Sequence, residues 1–189
     1  MATLTTQTAK INVVLSLKGY DIDKTISLLK DFCQQYMDVY AFILHNKDVL
    51  ESGEIKTPHI HLVGLLKTNR VRLGTTLSHI CEVCKLEPFA ITIDKMSDIV
   101  GSIQYLIHKN NPDKHQYPVS EIITNISVGE LATYMNSDSK SMSIEYLIAV
   151  VSENSSKIEI MRQIGLTYYH LYRNTINDIY RELYETIKN

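Results

Sequence analysis

The feature that most constrains this chain is the short run Pro58-His59-Ile60-His61-Leu62-Val63. Proline ahead of an alternating, β-branched segment predicts a strand. Side chains alternate faces along a strand, so His59 and His61 point to one side while Ile60 and Leu62 point to the other. The strand therefore belongs to a sheet with one apolar face packed on helices and one face carrying two imidazoles a single step apart. Two such imidazoles can share a metal ion, although a lone His-x-His is also common without function.

The surrounding pattern supplies the rest of that sheet. Residues 11–17 and 39–44 read as strands. Between them, Ile26, Leu29, Phe32, Cys33 and Tyr36 recur at helical spacing behind a cap at Asp21 or Asp23. Glu51-Ser52-Gly53-Glu54 is a turn signal, and residues 59–66 form the return strand. Residues 73–86 read as a helix, 89–93 as a strand, and a helix capped by Ser97 runs to about Lys109 before Asn110-Asn111-Pro112-Asp113 stops it. The order strand, helix, strand, strand, helix, strand, helix predicts an α+β fold. Its form is a ferredoxin-like, split βαβ sandwich with a central antiparallel sheet, its helices on one face and its other face free for a site. Ser137-Asp138-Ser139-Lys140-Ser141 reads as a linker, and everything beyond it as a C-terminal α-helical region. The expected division is 1–136 and 137–189.

The strand before the histidines ends in Leu44-His45-Asn46-Lys47-Asp48. A hairpin brings His45 and Asp48 toward His59, although the loop is too long for turn rules to fix the register. Imidazoles and a carboxylate suit Mn²⁺ or Mg²⁺, with Zn²⁺ also compatible. On the helix 97–109, Gly101, Ser102, Tyr105, His108 and Lys109 fall on the face opposite the apolar stripe Ile99, Val100, Ile103, Leu106 and Ile107. A phenol is a weak nucleophile at its ordinary pKa of about 10. Positive charge nearby, from Lys109 or a metal, favours the reactive anion. A metal beside a tyrosine in this way predicts attack on a phosphodiester, leaving a phosphotyrosine and a 3′-hydroxyl.

These three segments, with Tyr105-Leu106-Ile107-His108-Lys109-Asn110 as the third, resemble the motifs of HUH endonucleases, and within them the single-tyrosine Rep initiator family of small rolling-circle plasmids. The likeness covers residues 11–117. It implies the HUH endonuclease fold and a 1–136 endonuclease and origin-binding domain. It further implies Tyr105 as nucleophile and His45, Asp48, His59 and His61 as ligands of Mn²⁺ or Mg²⁺. Asn46 stands where the family usually has Asp, at a position not expected to bind metal. The function implied is nicking and joining of one strand at a plasmid origin. The implied partners are single-stranded or cruciform nick-site DNA with its adjacent duplex, a second copy of the chain, and host replication machinery. A transposase or mobilisation relaxase with the same chemistry, a non-cleaving origin-binding protein, and an unrelated metal hydrolase are the alternatives.

Charge is consistent with local rather than bulk attraction to DNA. The formal net charge is -2, yet residues 55–81 hold no acidic side chain while carrying Lys56, Lys67, Arg70 and Arg72. Of these, Lys67, Arg70 and Arg72, with His108, Lys109 and Lys114, are the candidate DNA contacts; an ordinary solvated surface is the other reading of the charges. Cys81-x-x-Cys84 has no second pair and falls inside a helix, so it reads as packing. No run is long and apolar enough to span a bilayer, and the start lacks a signal-peptide plan. With three cysteines, the expectation is a cytoplasmic protein with reduced thiols. In the C-terminal region, Tyr168, Tyr169, His170, Arg173 and Asn174 could serve a helix-turn-helix hinged at Gly165. Alternatively Tyr172, Ile176, Ile179, Tyr180 and Leu183 form an oligomerisation stripe, which is what the resemblance implies.

Overall fold

A computed structural model of the chain describes residues 3–68, 70–136, 144–153, 156–164 and 166–185. The elements up to the last strand are β1 (Gln7–Thr8), β2 (Lys10–Ser16), α1 (Ile22–Tyr36), β3 (Met37–His45), β4 (His59–Leu66), β5 (Val71–Arg72), α2 (Leu73–Cys84), β6 (Ile91–Lys95), α3 (Ile99–Leu106) and β7 (Ile123–Thr124). Four further helices follow, α4 (Val128–Asn136), α5 (Ile144–Glu153), α6 (Lys157–Ile164) and α7 (Leu166–Tyr180). The chain divides into two compact units, Met1–Ser139 and Lys140–Asn189.

The first unit is built on a five-stranded antiparallel sheet in the order β6-β2-β4-β3-β7. Strand β4 lies between β2 and β3, so β2-α1-β3 is a split βαβ unit and the predicted α+β sandwich is the observed one. One sheet face carries Val13 and Leu15, Phe42, and Ile60 and Leu62, all at 0–1% exposure. It packs on Leu29 and Phe32 of α1 and Ile80 of α2. Each such side chain contributes about 1.5–3 kcal/mol of burial. Helix α1 begins where Asp21 Oδ1 accepts from the Lys24 amide at 3.0 Å, which selects Asp21 over Asp23 as the cap. Gly64, in the middle of β4, is required by close approach: a Cβ there would sit 2.3 Å from the Val39 carbonyl oxygen.

Three expectations are corrected. The second sheet face is not left free, because α3 packs across β3 and β4 and is itself covered by α4. Gln104, read as neither stripe nor site, is buried there and donates to the Tyr134 carbonyl at 2.8 Å. Helix α3 is also shorter than expected. Its cap is Asp98, whose carboxylate accepts from the amides of Val100 (3.0 Å) and Gly101 (3.1 Å), and it ends at Leu106, two residues before His108 turns left-handed at φ 59. Strand β6 starts later than the expected 89–93 because Pro88–Ala90 forms a tight helical turn first.

In the second unit α7 packs on α5 and α6, burying Leu147, Val150, Val151, Ile160, Ile164 and Ile176. Of the expected oligomerisation stripe, Ile176 is therefore used within the unit, while Tyr172, Ile179, Tyr180 and Leu183 are half-buried. The linker at 137–141, Gly165, and the side chains of Tyr168 and His170 lie outside the described residues. Among the described residues no helix is long and apolar enough to cross a membrane. Cys33, Cys81 and Cys84 are free thiols, and burial pushes the Cys84 thiol up to about 12.

Candidate metal centre and nucleophile

The register that the sequence left open is fixed by the β3–β4 ladder. His45 lies directly opposite His59, and Ile43 opposite His61. Three imidazoles therefore share the face under α3, with ring centroids 5.3 Å (His45–His59), 4.7 Å (His45–His61) and 5.0 Å (His59–His61) apart. Asp48 enters from the hairpin that follows β3. That hairpin is closed by a Val49–Ile55 bridge and turned by Gly53 at φ 84, a backbone conformation glycine adopts without strain.

Tautomers follow from the backbone. His45 Nε2 lies 2.6 Å from the Leu106 carbonyl oxygen, and His59 Nδ1 lies 3.0 Å from that of Thr57. A carbonyl only accepts, so each of these nitrogens carries the proton and the other holds a lone pair. Those other atoms, His45 Nδ1 and His59 Nε2, are buried without a hydrogen-bond partner. They lie 3.5 and 3.6 Å from the same oxygen, Asp48 Oδ2. Two lone pairs facing one carboxylate oxygen out of water repel, and a shared cation removes the repulsion. An imidazole that donates an N–H hydrogen bond to a backbone carbonyl while presenting its second nitrogen is the usual arrangement of a metal-binding histidine. The donor set thus fits a divalent ion.

His108 belongs to this cluster. Expected as a DNA contact, it is 0% exposed. Its Nδ1 donates to the His115 carbonyl at 2.8 Å, its Nε2 is buried without a partner, and its ring is 4.4 Å from that of His45. Two groups of donors could each hold an ion, His45-His59-His61 and His45-Asp48-His108. Tyr117, which the sequence did not single out, stacks on His45 at 4.4 Å and 9°. Its hydroxyl donates to Asp48 Oδ1 at 3.0 Å and accepts from the Lys47 amide at 2.9 Å. A buried aromatic within the otherwise polar segment 108–118 was the available signal.

Burial keeps the imidazoles neutral. It drives His61 down to about 3 and His45 down to about 4, and it lowers His59, in each case ahead of the neighbouring charges. Neutral imidazole is the metal-binding form. These rings take up no second proton in the folded protein at pH values where the unfolded chain, titrating near 6.5, does. Stability is therefore fully present above about pH 6.5 and falls as the pH drops toward the folded values. Thermal melts of EDTA-treated protein are expected to show a falling Tm between pH 6.5 and 5; a flat profile there would contradict the assignment.

Tyr105 lies at the open edge of the cluster. Its half-buried ring is 5.3 Å from both His61 and His108. The cation beside it is not Lys109, whose ammonium is tied to the Met135 carbonyl, but Lys114. The Lys114 Nζ donates to the Tyr105 hydroxyl at 2.9 Å and lies 4.9 Å from the ring centroid. The remaining basic candidates are elsewhere. Lys67 donates to the Gln34 and Gln35 carbonyls at the end of α1, and Arg70 and Arg72 follow the far end of β4, roughly 25 Å from His59 by strand rise. Two clefts flank the cluster. One, of about 420 Å³, lies between α3 and strands β2 and β4. The other, of about 520 Å³, is lined by Lys47, Asp48, Lys56, Lys114 and His115 among others.

With this geometry in hand, comparison with known proteins is specific. Residues 23–129, more than half of the chain, match the family described as plasmid replication protein, origin binding domain. The chain belongs to that family. It is similar to the replication protein RepB of Lactiplantibacillus plantarum, 31% identical over 112 residues that cover 59% of this chain and 49% of that protein. A replication protein of Onion yellows phytoplasma (strain OY-M) is 32% identical over 99 residues, covering 46% of this chain and 24% of that one. The chain thus spans about half of the first relative's length and about a quarter of the second's.

Proposed function

We propose that this chain initiates rolling-circle plasmid replication by nicking and rejoining one strand of origin DNA through Tyr105. The observation that carries the reading is the Lys114 ammonium on the Tyr105 hydroxyl at 2.9 Å, at the rim of a neutral imidazole–carboxylate cluster. His45, Asp48, His59 and His61 would hold Mn²⁺ or Mg²⁺, with His108 offering a further lone pair. Bound there, the ion supplies charge to a phosphodiester oxygen.

The chain's own residues do the rest. Tyr105 Oη releases its proton to water and attacks the phosphorus as the phenolate. The bond to the 3′-oxygen breaks, and that oxygen takes up a proton and leaves as a free 3′-hydroxyl. The 5′-phosphate stays on Tyr105, so the reaction reverses without an outside energy source. Lys114 stabilises the phenolate before attack. Tyr117 holds Asp48 and the His45 ring in place.

Lys114→Ala removes one charge-assisted hydrogen bond, about 1.5–3 kcal/mol. A roughly 10- to 100-fold slower nicking rate is expected with metal affinity unchanged, read from single-turnover gels; an unchanged rate would remove Lys114 from the mechanism. The overall reading is tested with supercoiled plasmid carrying the replicon's own origin, Mn²⁺ and the full chain. Open circles with SDS-resistant protein attached are expected, whereas binding without cutting would make this a non-cleaving origin-binding protein.

The region 137–189 is read as the oligomerisation region rather than a DNA-reading helix-turn-helix. Ile148 and Ile158 of the second unit are 43% and 58% exposed, apolar surface that a second copy would cover. Ile148→Glu with Ile158→Glu is expected to convert the oligomer to a monomer by light scattering; an unchanged mass would argue against this surface.

A further inference from the structure

Of the two clefts beside the cluster, the one between α3 and strands β2 and β4 shares His61 and Tyr105 with the chemistry above, while the rest of its lining has no part in it. The cleft that carries Lys47, Lys56 and Lys114 beside Asp48, Glu51 and Asp113 offers ammonium groups to the phosphates of a strand. The other is lined by no lysine or arginine. Its one carboxylate, Asp98, is engaged in accepting the Val100 and Gly101 amides. Such a cleft is a poor place for phosphate and a suitable one for a base.

Its shape agrees. Val14 sits directly opposite His61 in the β2–β4 ladder, and Asn12 opposite Val63. The floor thus continues the imidazole face with one apolar and one amide side chain. Gly101 and Ser102 form the facing wall and leave α3 without a bulky side chain there, while Tyr105 stands at one end. The volume, about 420 Å³, accommodates a single nucleotide. Asn12 Oδ1 is buried with no hydrogen-bond partner, a situation that costs stability until a donor arrives.

We infer that this cleft binds one unstacked base of single-stranded DNA next to the phosphate that Tyr105 attacks, with Asn12 reading its edge. A side-chain amide offers one donor and one acceptor, the pair that adenine N7 and N6 match, so adenine is the preferred base. The inference rests on Tyr105 being the nucleophile for its position along the strand. The pocket itself is tested without any cleavage.

The experiment titrates the ¹⁵N-labelled full chain in Mg²⁺ with dAMP, dGMP, dCMP, TMP and, as a probe without a base, deoxyribose 5-phosphate. The expected result is that dAMP shifts the Asn12 side-chain amide and the Gly101 and Ser102 backbone amides, binding about tenfold more tightly than the sugar phosphate. Asn12→Ala should abolish that preference. Gly101→Leu, at a residue that lines the cleft, should abolish the shifts should Asn12→Ala fail to fold. Shifts confined to the lysine-lined cleft, or equal for dAMP and deoxyribose 5-phosphate, would overturn the inference. Failure of covalent adduct formation would bear on Tyr105 and leave this titration unaffected.

Discussion

Tyr105→Phe is expected to leave origin DNA uncut and unattached while metal binding and folding persist. The substitution deletes one oxygen. The ring remains to pack between His61 and His108, 5.3 Å from each, and the position is only half-buried, so stability should change by no more than about 0.5–1 kcal/mol. What would be lost is the proposed nucleophile, an expected loss of roughly four or more orders of magnitude in rate. Among the described residues, the other tyrosine at the cluster, Tyr117, is not placed to replace it. Tyr117 is 3% exposed, donates a hydrogen bond to Asp48, and is pushed up to about 12 by burial ahead of that contact. Denaturing gels of wild type and variant on the same supercoiled DNA read the difference. Residual adduct in the variant would mean another side chain attacks.

The second large effect belongs to His59→Ala. Wild-type protein that holds Mn²⁺ as proposed would gain about 2.7 kcal/mol of stability at a concentration about 100 times its Kd, a Tm rise of several degrees for a chain of this size. His59 supplies one of the two lone pairs that face Asp48 Oδ2. Its loss should remove nearly all of the metal-linked rise and abolish nicking, while the variant without metal melts near the wild-type value. Asp48→Asn should do the same by removing the charge and keeping the shape. A full Mn²⁺-dependent rise in both variants would relocate the metal.

Much of this was legible in the sequence because it follows from short-range periodicity. The alternation of His59, Ile60, His61 and Leu62 placed two imidazoles on one face and two core residues on the other, and the ladder has that arrangement. The split βαβ order could be read from element succession. What could not be read depends on long-range closure. His108 projects onto the polar face of an ideal helix with Tyr105, but α3 stops at Leu106 and the left-handed turn swings His108 inward. Lys114 reaches Tyr105 only because the segment after α3 folds back, the Tyr117 amide donating to the Ile107 carbonyl. Helical projection favoured Lys109 for that place, and tertiary contact with Met135 occupies it instead. Strand β7, two residues long, was too short to leave a periodic signal.

The most direct test of the central claim is to locate the covalent bond. Adduct formed on origin DNA is trimmed with nuclease, digested with trypsin and sequenced by tandem mass spectrometry. Nucleotide mass is expected on the hydroxyl of Tyr105 through a 5′-phosphate. The same modification on any other residue, or cut DNA with no modified peptide, would contradict it.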